Sequence, residues 1–283
     1  MSLGFGRVKF GVPVRVMGPQ SEPGMLVECV RAAEAAGLEE LWVADHVAIP
    51  PDDAEGSNGR YLDPLATLAF LAGQTQRIRL GTGVLILPYR PKLPTAKAIA
   101  TVQELSGERL SLGVGLGWME PEFRALGVSR KRRGEIADET LEFLHRCFED
   151  DEVEENGQRF LFRPRPARPP ILIGGAPPHA LRRTLRYGDG WMPMAREVSQ
   201  IAPAIARLRE LAAEAGRECP RVLVFSGLPL DDPERARERA QGFAEAGVDQ
   251  LICGFPYRNA SEYARAVETI AAKLRPGLAS ASG

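Results

Sequence analysis

Eight times along this chain a short apolar, β-branched run is followed by a stretch with apolar residues at helical spacing. That alternation restricts the fold more than any single motif does. Strand–helix–strand succession with short connections requires parallel strands joined by right-handed crossovers. The strand-like runs cover residues 9–14, 41–44 and 78–87, a run that opens at Arg109, and then 171–173, 190–194, 222–225 and 250–253. The spacing predicts helices over 25–36 (stopped by Gly37), 63–75 (Asp63 as N-cap, Pro64 in the first turn), 92–105, 133–148, 178–187, 201–212, 233–246 and 263–274. One break interrupts the rhythm: residues 153–163 read as a hairpin turning at Asn156-Gly157, an insertion at about 151–168 in a single domain spanning 1–283. Eight units in 283 residues match a closed (β/α)8 TIM barrel of ~250 residues, in the α/β class. An open doubly wound sheet has the same alternation and stays open at this point.

Charge and cysteine content narrow the partners. Thirty-six basic against 37 acidic residues leave a net charge of -1, without the basic surplus that nucleic-acid binding draws on. No apolar run approaches the ~18 residues of a membrane span, and the start lacks a signal peptide's apolar core. Met1-Ser2-Leu3 is set apart as a start common in expressed proteins. Cys29, Cys147, Cys219 and Cys253 are far apart and form no CxxC pair, which predicts free thiols and a reducing, cytoplasmic setting. The partner expected is a small-molecule substrate, with neither nucleic acid nor membrane.

In a barrel, the residues just after each strand converge on one face, so chemistry is sought there. The most reactive pair at any strand end is Asp45-His46: the imidazole titrates near neutrality, and a neighbouring carboxylate can orient it. A helix cap plus a surface histidine is the bland alternative. His145 falls mid-helix and reads as structural, while His179 sits in the turn before a helix. Three histidines, none at ligand spacing, predict no catalytic metal. The turn Gly174-Gly175-Ala176 joins a strand to a helix N-terminus, where free N–H groups favour an anion such as phosphate. Thr82-Gly83-Val84 puts a glycine inside an apolar strand, the mark of a bulge or of close approach to a flat ligand. From Arg109 to Phe123 a glycine series including Gly115 and Gly117 leads into Trp118 and an acidic, helix-compatible segment. The run from Arg130 to Arg133 is a solvated helix start or an attractor for an acidic ligand tail. Residues 49–62, rich in Pro, Asp, Gly and Ser, read as a mobile loop.

Four segments in order, AAEAAGLEELWVADHV, RIRLGTGVLILPYRP, LSGERLSLGVGLGW with EFRALGV, and PPILIGGAPPHALRRTLRYGDGW, resemble the luciferase-like monooxygenase superfamily, in particular its coenzyme F-420 (deazaflavin) branch. The resemblance runs from Lys9 to about Met194 and is only architectural beyond. It implies a (β/α)8 barrel with a short insertion, commonly a homodimer, with the cofactor at the carboxyl ends of the strands. It implies catalytic roles for His46 and Asp45, and a strand-three bulge at Thr82, Gly83 and Val84 with a cis Gly83–Val84 peptide. It further implies a phosphate site at Gly174, Gly175, Ala176 and the helix start that includes His179, and a pocket lined by Gly115, Gly117 and Trp118. The activity implied is hydride transfer between F-420 and an organic substrate. FMN-dependent monooxygenation fed by a partner flavin reductase, or ligand binding without turnover, are the alternatives. The F-420 sugar-phosphate dehydrogenases carry a catalytic glutamate where this chain has Trp118, which argues against glucose 6-phosphate. Many relatives read RHP where this chain has Arg90-Pro91-Lys92, and Asp where it has Gln103, so cofactor contacts are expected to differ there.

Overall fold

The computed structural model describes residues 8–274; Met1-Ser2-Leu3 lies outside them. In chain order the elements are β1 (Lys9–Pro13), α1 (Pro23–Ala35), β2 (Glu40–Val43), α2 (Pro64–Ala72), β3 (Arg79–Ile86), α3 (Lys92–Leu105) and β4 (Leu110–Gly115). There follow α4 (Glu120–Ala125), α5 (Arg133–Glu149), β5 (Glu152–Glu155), β6 (Gln158–Leu161), β7 (Ile171–Gly174), α6 (His179–Tyr187) and β8 (Gly190–Met192). The chain ends with α7 (Ala202–Glu214), β9 (Arg221–Gly227), α8 (Pro233–Ala246), β10 (Gln250–Gly254) and α9 (Ala260–Thr269).

All strands except β5 and β6 form one closed parallel barrel in the order β1-β10-β9-β8-β7-β4-β3-β2. Closure excludes the open sheet: Lys9, Phe10 and Gly11 of β1 pair with Gln250, Leu251 and Ile252 of β10. The hairpin is β5–β6, antiparallel, turning at Asn156 (φ 52) and Gly157 (φ 75). Local signals set the helix ends as expected. Asp63 Oδ1 accepts from Ala66 N at 2.9 Å at the start of α2, and Gly37 takes φ 71 just after α1.

Side chains inside the barrel form a small core of their own: Trp42, Leu172, Met192, Leu223 and Ile252, with Val84 and Phe225 against it. Trp42 needs two glycines. A Cβ on Gly81 would stand 2.3 Å from its ring, and one on Gly11 2.7 Å from its Nε1. The larger core lies between barrel and helices. Cys29, Cys147 and Cys253 are buried in it and Cys219 is exposed, all as free thiols. Burial pushes the Cys29 and Cys147 thiols up to about 12. His145 is structural, as read: its ring bridges Glu149 (3.1 Å) and the Tyr187 carbonyl oxygen (3.0 Å), joining α5 to α6.

One expectation changes, for the loop, and the structure gives Gln103 and Lys92 partners within the protein. The loop over 49–62 is laced to the chain leaving β1, through Gly18 N to Arg60 O (3.1 Å), Leu62 N to Val16 O (2.9 Å) and a Met17–Tyr61 bridge. Gln103 is held by the protein: its Nε2 donates to Ala167 O and its Oε1 accepts from Leu110 N, at the start of β4 and so at the end of the barrel away from the strand tips. Lys92 pairs with Glu155 of the insertion at 2.7 Å. No helix among the described residues is long and apolar enough to cross a membrane.

Candidate active site

The carboxyl ends of β2, β3 and β4 bring together residues that are far apart in sequence. His46, just past β2, keeps 18% of its side chain exposed, and its ring Nδ1 lies 2.9 Å from Glu122 Oε2. Glu122 enters from the first turn of α4 and its side chain is fully buried. It also accepts from Val47 N (2.7 Å), Ala48 N (3.0 Å) and the Tyr89 hydroxyl (2.9 Å). Burial raises the Glu122 carboxyl, but its hydrogen bonds with Ala48, Val47, His46 and Tyr89 outweigh it and hold the group below its ordinary value. The Tyr89 phenol is pushed up, first by burial and then by the carboxylate it faces. Tyr61 and Trp118 wall the imidazole edge-on, with ring centroids 5.0 and 6.3 Å from it.

Glu122, not Asp45, is therefore the carboxylate on His46. Both Asp45 oxygens are taken elsewhere: Oδ2 by Ile86 N (2.8 Å) and Arg90 Nη1 (2.6 Å), Oδ1 by Arg90 Nη2 (2.9 Å). Arg90 also reaches Asp63 Oδ2 at 2.9 Å, so an Asp45–Arg90–Asp63 clamp ties the ends of β2 and β3 to the start of α2. Sequence reading missed Glu122, Tyr89 and Arg90 as site residues. The one signal available was the pair of acids in EPEF directly after the glycine series.

The bulge falls where it was expected. The β3–β4 register shifts between Thr82 and Leu85, and the Gly83–Val84 peptide is cis. Thr82 is fully buried and donates its hydroxyl to Gly113 O at 2.7 Å, so it has only backbone to offer a ligand. Val84 is half-buried and turns toward the ends of β4 and β7: a Cβ on Gly115 would lie 2.4 Å from Val84 Cγ2, and one on Gly174 3.0 Å from its Cγ1. Those two glycines let Val84 form a smooth apolar step between the His46 cluster and the turn after β7. Gly117 (φ 74) turns the chain so that Trp118 stands 65% exposed at the mouth. In the turn after β7, Gly175 (φ 111), Ala176 and His179 are exposed; Gly175 O accepts from Trp191 Nε1 at 3.0 Å, and His179 Nδ1 lies 3.1 Å from Arg182. Of the basic run, Arg132 pairs with Glu135 (2.9 Å) and Arg130 with Glu120 (3.4 Å).

Residues 8–281 match the family model for luciferase-like monooxygenases. The chain belongs to the luciferase-like monooxygenase family. An uncharacterized protein of Mycobacterium tuberculosis is 32% identical, the match covering 86% of this chain and 92% of that one. The F-420-dependent hydroxymycolic acid dehydrogenase of the same organism is 30% identical over 85% of this chain and 64% of its own. Among solved structures, the monooxygenase RslO1 from Streptomyces bottropensis superposes with a TM-score of 0.81 at 21% identity, covering 95% of this chain and 99% of that one, a likeness of fold. Luciferase-like family members are oxidoreductases and monooxygenases, and this chain carries their barrel.

Proposed function

We propose that the protein transfers a hydride between coenzyme F-420 and a small organic substrate, with His46 moving the accompanying proton. The observation that carries this reading is the His46–Glu122 pair. A partly exposed imidazole, held by a buried carboxylate between two aromatic walls, stands at the strand ends where the barrel fold places ligands.

The residues present suit a flat, phosphate-bearing cofactor. Val84, with the bare Gly115 and Gly174 beside it, offers an apolar floor that a larger residue at either glycine would disrupt. Gly174, Gly175 and Ala176 with the start of α6 would take a phosphate, and Lys131 or Arg133 an acidic tail. When bound, the deazaflavin supplies the hydride acceptor or donor. His46 takes or gives the proton at its open face, Trp118 and Tyr61 confine the substrate, and Asp45 acts through Arg90 as a brace for the β2 and β3 ends. The 30% identity to an F-420-dependent dehydrogenase supports this choice of cofactor.

Titrating the purified protein with oxidised F-420 and with FMN tests the reading: F-420 is expected to bind at tens of micromolar or better, and no binding would sink it. His46→Ala is expected to retain cofactor binding and to slow turnover by about 10²–10⁴-fold; unchanged turnover would remove His46 from the mechanism.

One observation favours a second reading. The chain is 29% identical, over 89% of its length, to a 4-hydroxyprotoasukamycin monooxygenase of Streptomyces nodosus subsp. asukaensis. Oxygen consumption with reduced FMN, from a partner reductase, would support that reading. Binding without turnover on either cofactor would leave a ligand-binding barrel.

The homodimer implied by the resemblance has a physical support in α2. Its sequence PLATLAFLA carries no charge, yet it lies outside the barrel with Phe70 44% exposed. A groove of about 430 Å³ beside it is lined by Leu65, Ala66, Ala69, Pro94 and Ala98, with Asp63 and Arg90 also on its wall. A second copy related by a two-fold axis would lay the same apolar helix into that groove.

A further inference from the structure

We propose that Glu122 is a positioning residue that locks His46 in one tautomer, with hydrogen on Nδ1, and so makes Nε2 the ring atom that exchanges protons with the reacting molecule. The catalytic consequence rests on the role given to His46 above; the tautomer itself is a property of the protein alone.

The inference follows from counting donors. A carboxylate offers about four acceptor positions and, while ionised, no donor. All four are filled on Glu122: Oε1 by the Val47 and Ala48 amides, Oε2 by the Tyr89 hydroxyl and the His46 ring. Two of these partners are main-chain N–H groups, which can only donate. Three fixed donors, the Val47 and Ala48 amides and the Tyr89 hydroxyl, converge on this carboxyl and favour its ionised form over the neutral acid. Glu122 therefore stays an acceptor, and a ring nitrogen 2.9 Å away must bring the hydrogen.

Among the described residues, the hydrogen-bond partner of the imidazole is Glu122. Asp45, its chain neighbour, spends both oxygens on Arg90 and Ile86. Tyr89 spends its proton on the same Oε2 atom. The remaining neighbours of the ring, Tyr61 and Trp118, meet it edge-on as walls. With Nδ1 committed, Nε2 is the ring nitrogen left to accept or release a proton. The segment after β4 thus carries both Trp118, in the loop at the mouth, and Glu122, in the first turn of α4, which orients the base.

The chain's three histidines make the test direct. Long-range ¹H–¹⁵N spectra of the uniformly labelled full-length protein are recorded at a pH where the rings are neutral, and the His46 signals are assigned by their loss in His46→Gln. Expected is a protonated-type shift on Nδ1 and an unprotonated-type shift on Nε2. Hydrogen on Nε2 of the wild-type protein overturns the proposal without any Glu122 variant. In Glu122→Gln, the amide oxygen can still serve the Val47 and Ala48 N–H groups while its NH₂ faces the ring, so the pattern is expected to invert. The kcat is expected to fall by about 10²–10⁴-fold with KM little changed. An inverted pattern with unchanged kcat also overturns it. If the wild-type protein shows the Nδ1–H form but neither binds F-420 nor turns over with it, the cofactor reading fails and the tautomer assignment stands.

Discussion

Glu122 concentrates the residue-scale physics of this protein, because its burial is tolerable only while every lone pair is met. The same holds in milder form for Glu34, whose Oε1 accepts from the amides of Gln76, Arg77 and Ile78, and for Asp189, held by Arg168 and the Ile171 amide. In all three, burial raises the carboxyl and the donors overcome it, leaving each below its ordinary value. A carboxyl depressed in the folded state adds stability that is fully present above its unfolded value, ~4 for Asp and Glu, and that is lost as pH falls through the folded value. Urea midpoints are therefore expected to hold from about pH 7 to 5 and to decline below. Glu122→Gln, which cannot titrate, should show a shallower decline. Parallel declines for variant and wild type would mean that Glu122 does not contribute.

At the scale of elements, β3 does the most to shape the site. Its first half is a regular inner strand whose Gly81 makes room for the Trp42 indole, and its second half is a bulge that aims Val84 at the strand ends. Gly81→Ala would set a methyl 2.3 Å from the Trp42 ring, with the barrel wall behind it. Overpacking of this kind costs about 1–3 kcal/mol. Thermal or urea denaturation of the variant checks it, and combining the change with Trp42→Leu is expected to cost less than the sum of the two single losses. Additive losses would show that the two side chains are not in conflict.

The whole molecule closes its barrel by pairing β1 with β10, and the outer helix α2 buries most of its length while leaving the uncharged Ala66 and Phe70 exposed. A chain of 30.8 kDa is therefore expected to sediment at twice that mass. Ala66→Glu, an exposed position lining the groove beside α2, should give monomers with an unchanged far-ultraviolet circular dichroism spectrum. A monomeric wild-type protein at tens of micromolar would remove the dimer reading.

Strand and helix periods, the Asp63 cap, the Gly37 stop and the Asn156-Gly157 turn depend on neighbours a few residues apart, and all of these were legible in the linear chain. The alternation also put Asp45-His46 and Gly174-Gly175 at strand ends and Thr82-Gly83-Val84 inside the third strand, where the structure has them. The partners of those residues were not legible. Asp45 stands next to His46 in sequence, yet its carboxylate goes to Arg90, 45 positions on, while His46 takes Glu122, 76 positions on. Nor could the chain alone decide between an open sheet and a closed barrel, since both use the same local alternation. Those choices turn on which strand ends meet once β1 has paired with β10, and on burial that forces each carboxylate to find donors wherever the closed barrel brings them.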